Sequence, residues 1–423
     1  MEQRQVILTD LIDLVKMDSN LAVGCTEPVA VAYAGAVAGK YVTGNIENIQ
    51  LIVSKNIYKN GKSVIVPNTG ESGLQLAAAV GVVGGDYTKK LLLLEFITKE
   101  DLENAKKLLK EDKVSLAYAD VSPDVYVNLV VNTDMEKIEV EIKNDHDNVT
   151  AVVVNGKKVF SGEKNTGINK TNHMSDITFE DLCQIVDDIP VSELEFLKEG
   201  IDCNFKAADT GLKNKNGLNL GTHLSNMKGL SMDPVMETRI LTAAAADMRM
   251  GGGVCPIMTS GGSGNQGIGV IIPTVIVAKH EEVEEEKMLR ALWLANVVNK
   301  YVKIYSGKLS GMCGCAIGAG VGAAAGITWM LGGDSTQIAA SCNYMFANLA
   351  GMLCDGAKDT CSLKLSTCAS EAVLSAYLSV GGFAVRPSVG IIGKDIDETI
   401  RNVGRLSKEG FKEVDKVVLD IIK

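Results

Sequence analysis

A chain of 423 residues is too long for one small core and predicts two domains. Its composition, 46% hydrophobic and 22% charged, excludes disorder as a description of the whole. The net charge of −10, from 42 basic and 52 acidic residues, disfavours nucleic acid and anionic membranes as partners.

The first segment, MEQRQVILTDLIDLVKMD, spaces Val6, Leu8, Leu11, Ile12, Leu14 and Val15 as one helix face. It lacks the uninterrupted apolar run of a signal peptide. After a break at Asp18-Ser19-Asn20, GCTEPVAVAYAGAVAGKY predicts a second helix with Thr26 as N-cap and Glu27 and Pro28 in its first turn. Cys25 stands just before that N-cap, where the dipole and free N–H groups stabilise an anion and lower a thiol's pKa. A thiolate there can be nucleophile, base or ligand; the bland alternative is a cysteine that packs a helix start.

From about Asn45 the texture changes. IQLIVSKN and KSVIVPN are short and β-branched, as strands are. Gly-rich PNTGESG leads into a small-residue helix, and TKEDLENAKKLLKED is a charged one. VSLAYAD, VYVNLVVN, KIEVEIKN and NVTAVVVNGKKVF then alternate apolar and polar residues as half-buried strands. From about Ile177 the strand signal mostly vanishes and long helical segments follow, among them VMETRILTAAAADMRM and EEEKMLRALWLANVVNKYVKIY. Ala316 to Gly333 is uncharged and nearly long enough to span a bilayer, but its Gly and Ala bury little surface, which favours a packed interior helix. The expected fold is α+β: a mainly helical domain of residues 1–44 plus 175–423, with an α/β domain of residues 45–174 inserted.

Ten cysteines in a chain without an export signal point to a reducing, cytoplasmic setting, where they persist as small hydrophobes, reactive thiols or metal ligands. Six of them fall between Cys313 and Cys368. Cys313 and Cys315 would face opposite sides of a helix, so one of the two is expected to bind a given cluster. On one unbroken helix Cys354 and Cys361 would be separated by about 10 Å of rise, but the turn signal Asp355-Gly356 lets a loop bring them together. Cys368 lies in a helical pattern and reads as core. The competing reading makes all six buried packing residues, because their spacing matches neither ferredoxin nor zinc patterns.

Two Gly-rich loops, Pro67 to Gly73 and Thr259 to Gly267, can gather backbone N–H groups around a small anion, and flexible turns are the plain alternative. Neither is a Walker loop or a dinucleotide fingerprint. His146, His173, His223 and His280 are scattered, and surface or loop positions are the default for them.

GCTEPVA, TSGGSGNQGIG, LSGMCGCAIGAGVGAAAGI and GMLCDGAK…C together resemble the iron–sulfur L-cysteine desulfidase family, itself distantly similar to the oxygen-sensitive iron–sulfur L-serine dehydratases. The resemblance covers essentially the whole chain. It implies a carbon–sulfur lyase with a helical catalytic domain and a 4Fe–4S cluster with one open iron, and no pyridoxal phosphate. By position, Cys313, Cys354 and Cys361 match the cluster ligands, with Cys315 open as an alternative to Cys313. Ser263, Asn265 and Gln266 match the substrate loop, and Cys25 matches the catalytic base, with Glu27 as a fallback. The implied partner is L-cysteine, split into sulfide, ammonia and pyruvate, with no nucleic acid or membrane and with a homo-oligomer left open. A serine dehydratase-like hydro-lyase and a non-catalytic iron–sulfur redox sensor are the rival expectations. The interval between Cys354 and Cys361 is shorter than in the dehydratases, which counts against a serine substrate.

Overall fold

The computed structural model describes residues 2–162, 174, 177–307 and 310–422; His173 lies outside them. Helix α1 (Glu2–Asp18) buries Leu8, Leu11, Ile12, Leu14 and Val15 of the predicted stripe, while Val6 is exposed. The two-residue strand β1 (Leu21–Ala22) follows, then α2 (Thr26–Gly39), whose N-cap is Cys25 itself. This is one residue earlier than the expected cap.

The next strands are β2 (Ile46–Val53), β3 (Val114–Tyr118), β4 (Tyr126–Thr133), β5 (Lys137–Lys143), β6 (Val149–Val154) and β7 (Lys157–Ser161). They form one sheet in the order β3-β2-β4-β5-β6-β7, parallel between β2 and β3 and antiparallel elsewhere. Ile49, Leu51 and Val53, opposed by Leu129 and Val131 and then by Ile138 and Val140, turn the alternating face inward. The stretch NVTAVVVNGKKVF is two strands, because Asn155 and Gly156 both take positive φ and close a tight hairpin. KSVIVPN is not a strand. Val64 and Val66 are buried as loop anchors, and one isolated bridge, Ile65 to Ser72, is all the pairing the segment makes.

Helices α3 (Lys55–Gly61), α4 (Leu74–Gly84) and α5 (Lys99–Lys110) complete this part. The buried residues of α2 belong to the sheet's core, with Ile49, Leu51, Leu129 and Val140, and so residues 26–39 pack with the sheet. α2 and α4 cross closely enough that a Cβ on Gly81 would lie 2.1 Å from the Ala32 carbonyl oxygen.

The remainder is helical: α6 (Phe179–Ile185), α7 (Phe196–Lys213), α8 (Leu220–Ser225) and α9 (Pro234–Met250), then α10 (Gly264–His280) and α11 (Glu285–Ser306) after the short β8 (Ile257–Met258). α12 (Val321–Met330), α13 (Ser335–Leu349), α14 (Cys361–Val380), α15 (Ile396–Arg405) and α16 (Phe411–Ile422) follow. Their core is centred on Trp293, Tyr301, Phe179 and Phe346. The uncharged stretch from Ala316 is interior: a π-helical turn, Cys315–Gly320, runs into α12, and both are almost wholly buried. Among the described residues no helix is long and apolar enough to cross a membrane. The fold class is thus α+β with a helical majority.

Candidate active site

The N-terminal segment is stitched to the Gly-rich loop before either reaches the site. β1 pairs antiparallel with β8, Leu21 opposite Met258 and Ala22 opposite Ile257. The Thr259 hydroxyl donates to the Asp18 carbonyl at 2.8 Å and accepts from the Asn20 N–H at 2.9 Å. Two residues beyond β1, Gly24 turns the chain at φ +73°, where a Cβ would strike Pro67 at 2.0 Å. Cys25 therefore caps α2 directly beside the loop 259–263 that opens α10.

A second pairing aligns the cysteines. Met312 bridges Leu353, the Cys313 N–H donates to the Met352 carbonyl, and the Cys354 N–H donates to the Gly311 carbonyl, both at 2.8 Å. Cys313 is thus extended rather than helical. The expectation that Cys313 and Cys315 face opposite sides fails for that reason, and both thiols line one cavity. The Cys315 thiol donates to Cys313 and holds Cys313 below the ordinary thiol range, while the same bond and burial push Cys315 up. The loop after Cys354 is tied by Asp355, which pairs with Lys358 and Lys364, both at 2.6 Å, and turns at Gly356 with φ +94°. It delivers Cys361 as the first residue of α14 into the same cavity. Cys368 is buried in the core, its thiol donating to Met352 Sδ at 3.6 Å.

Cys25 is buried, and its Sγ–H donates to Glu27 Oε2 at 2.8 Å. Asn60 Nδ2, from α3, donates to the other carboxylate oxygen at 2.8 Å. Burial and then the Glu27 charge push the Cys25 thiol well above its ordinary range, against the pull of the Arg249 guanidinium. This corrects the expectation of a thiolate stabilised by the helix N-terminus alone. Burial also opposes ionisation of Glu27, but His146, from the turn between β5 and β6, and the bonds from Cys25 and Asn60 outweigh it and hold its carboxyl low. The resting state is a thiol hydrogen-bonded to a carboxylate.

Ser263 is the N-cap of α10, with no side-chain bond to the helix. Asn265 Oδ1 accepts from Arg249 Nη1 at 2.9 Å, and Gln266 Oε1 accepts from Lys303 Nζ at 3.3 Å. Lys303 also donates to the Gly261 carbonyl at 2.6 Å.

All seven residues singled out from the sequence, Cys25, Ser263, Asn265, Gln266, Cys313, Cys354 and Cys361, line a single cavity of about 110 Å³. Sequence reasoning missed Asn60, His146, Arg249 and Lys303, which line it too. His146 is buried rather than a surface histidine. A larger cleft of about 560 Å³, between α3, the 119–124 loop and α16, is lined by no cysteine.

Cys313, Cys354 and Cys361, three thiols on one cavity, are a donor set of the kind an iron–sulfur cluster takes. Among the described residues no three His, Cys, Asp or Glu side chains converge as one metal ion requires. In a cubane iron–sulfur cluster, by contrast, each cysteine binds a different iron. Burial pushes Cys354 up and Cys361 up to about 11, with Lys59 pulling Cys354 down and Lys358 pulling Cys361 down. Thiols this reluctant to ionise alone are deprotonated by metal coordination.

The chain resembles known proteins along its length. The profile of a family described as "Serine dehydratase alpha chain" matches residues 88–420. The UPF0597 protein of Clostridium botulinum (strain Okra / Type B1) is 44% identical over 423 residues, 99% of this chain and 98% of the relative. That of Desulforapulum autotrophicum is 39% identical over 97% of this chain and 96% of its own. That of Clostridioides difficile (strain 630) is 36% identical over 97% and 98%.

Proposed function

We propose, for a chain that belongs to the serine dehydratase alpha chain family, a lyase that removes sulfide from L-cysteine and leaves pyruvate and ammonia. The observation that carries this reading is the meeting of Cys25 and its Glu27 partner with Cys313, Cys354 and Cys361 on one buried cavity. A 4Fe–4S cluster held by Cys313, Cys354 and Cys361 would supply an open, thiophilic Lewis-acid iron that makes the β-substituent a better leaving group.

The chain's own groups do the proton work. Glu27 takes the proton of Cys25 along their hydrogen bond, and the resulting thiolate, with its raised pKa, is a strong base for the substrate's Cα proton. The electrons of the Cα–H bond become the Cα–Cβ double bond as the Cβ–S bond breaks, and sulfide leaves with its electron pair. The aminoacrylate that remains tautomerises and takes up one water, giving pyruvate and ammonia with no net redox change. Ser263, Asn265 and Gln266 form the wall that the amino acid lies against.

Loss of water from L-serine is the second reading, favoured by the family itself. The test is anaerobic reconstitution followed by assay of pyruvate from both amino acids. We expect sulfide and pyruvate in equal amounts from L-cysteine, with Cys354→Ala losing iron and Cys25→Ser keeping it while stopping both sulfide release and Cα proton exchange. Faster pyruvate formation from L-serine would establish the hydro-lyase instead. A loaded protein that turns over neither would leave the redox sensor.

A further inference from the structure

Arg249 is a guanidinium buried to 2% exposure in the wall of this cavity. It stands in the last turn of α9, where a helix C-terminus tolerates a cation. No carboxylate among the described residues pairs with it. Its one oxygen partner is the neutral amide oxygen of Asn265, and its Nε has no hydrogen-bond partner. A buried charge in this condition is costly, and an arginine is always charged. The side chain lies flat against the first residue of α10, since a Cβ on Gly264 would fall 2.3 Å from Nε. Glycine at that position leaves room for the guanidinium beside the helix N-terminus, whose first N–H groups have no intrahelical acceptor. The cap residue Ser263 adds no side-chain bond to them.

We propose that Arg249, set against the N-terminus of α10 and oriented by Asn265, is the anchor for the substrate's α-carboxylate. The assignment rests on the reading of the site as an amino acid lyase, and it deepens it. The planar guanidinium matches a carboxylate with two parallel bonds, and the carboxylate supplies the negative charge that Arg249 lacks. Arg249 and Cys25 line the same cavity, so a carboxylate held by the guanidinium keeps the rest of the amino acid within the space that the thiol faces. Cys361 packs on the small apolar cluster of Cys25, Val64 and Met250, so the thiol wall and Cys25 meet beside the helix end that carries Arg249. Asn265 then both lines the wall and fixes the arginine, and amines or esters without a free carboxylate are poor substrates.

The test compares anaerobically reconstituted wild type with Arg249→Met and Arg249→Lys. For L-cysteine the KM of Arg249→Met should rise about 100-fold, with kcat and iron content within about twofold of wild type. The inhibition constant for pyruvate should rise by the same factor, whereas the KM for L-cysteine methyl ester should not move. Arg249→Lys keeps the charge without the fork and should fall between, which preserves the test should the methionine variant fold poorly. Equal rises for acid and ester, no rise for either, or loss of iron with selectivity unchanged would each overturn the assignment. Should the wild type turn over no amino acid, the lyase reading fails, and calorimetric titration with pyruvate still decides the anchor. Binding to wild type and not to Arg249→Met supports it; equal binding, or none to either, overturns it.

Discussion

At Cys25 two elementary effects oppose each other. A helix N-terminus stabilises a thiolate by roughly 0.3–1 kcal/mol, whereas full burial shifts a pKa by up to about 3–5 units, several times more energy. Burial wins, and Glu27 adds its charge to the same side. Against that opposition, Glu27, which accepts the Cys25 hydrogen bond, is the group placed to take its proton during turnover. Replacing that acceptor, as in Glu27→Gln, keeps the shape and should lower kcat by about 10²- to 10⁴-fold with iron content and KM little changed. An undiminished kcat would show that Cys25 loses its proton elsewhere. The same substitution carries a pH signature. The Glu27 carboxyl is held below the ordinary range of a glutamate, so its stabilising effect is complete above that range and is lost as pH falls through the lower folded value. Acid unfolding of Glu27→Gln should consequently be less steep below about pH 4.5 than that of wild type. The sequence displayed Cys25, Cys313, Cys354 and Cys361 because cysteine is rare and the turn at Asp355-Gly356 sits where a thiol pair needs it. Asn60, His146 and Arg249 gave no such signal, since nothing local ties positions 60, 146 and 249 together. The one hint was an arginine in AAAADMRMGGG, whose single acid, Asp247, accepts from the Gly221 N–H instead.

Elements with a period were legible and elements without one were not. β4 and β5 stood out because every second residue is buried, and α1 because its stripe recurs at helical spacing. KSVIVPN misled because β-branched residues also anchor buried loops, and Val64 and Val66 are held by contacts far away in the chain. The packing of α2 on the sheet was hidden for another reason: a helix buried on nearly all sides, such as Val29 to Ala38, has no polar face to show which neighbour it meets. What fixes its place is the crossing with α4. A Cβ on Gly81 would sit 2.1 Å from the Ala32 oxygen and 2.8 Å from its carbonyl carbon, both backbone atoms that cannot swing aside. Gly81→Ala would raise helix propensity in isolation, yet here it must part α2 from α4 and tilt Cys25 with its helix. We expect a loss of about 1–3 kcal/mol in urea unfolding, together with reduced activity. A gain in stability, as propensity alone predicts, would show that the helices have room between them.

Across the whole molecule the site is a seam, with Cys25, Glu27, Asn60 and His146 on the sheet side and Cys313, Cys315, Cys354, Cys361 and Arg249 on the helical side. A seam works only when its two walls hold their spacing, and α3 is where the walls are tied. Asn60 of α3 reaches Glu27, while one residue earlier Lys59 turns the other way, donating to the Ser310 carbonyl at 3.3 Å and to Asp415 of α16 at 2.6 Å. The Lys59 side chain is 2% exposed and that of Asp415 26%, so the ammonium is desolvated and depends on its partner. Lys62 extends the tie to the Ile422 carbonyl at the end of α16. Lys59 also pulls down the pKa of Cys354, so the same cation faces the thiol wall. Removing one partner of such a pair strands a buried charge, at about 3–5 kcal/mol for full burial and less where one side meets solvent. Asp415→Ala should therefore lower stability by roughly 2–3 kcal/mol and reduce activity, although Asp415 lines no part of the cavity. Lys59→Met with Asp415→Leu removes both charges and should regain most of the stability, since an apolar pair of similar volume is often as good as a buried ion pair. Denaturant midpoints for the two variants decide the point: a double variant no more stable than Asp415→Ala would mean that the tie works through the Ser310 contact and not through the pairing of charges.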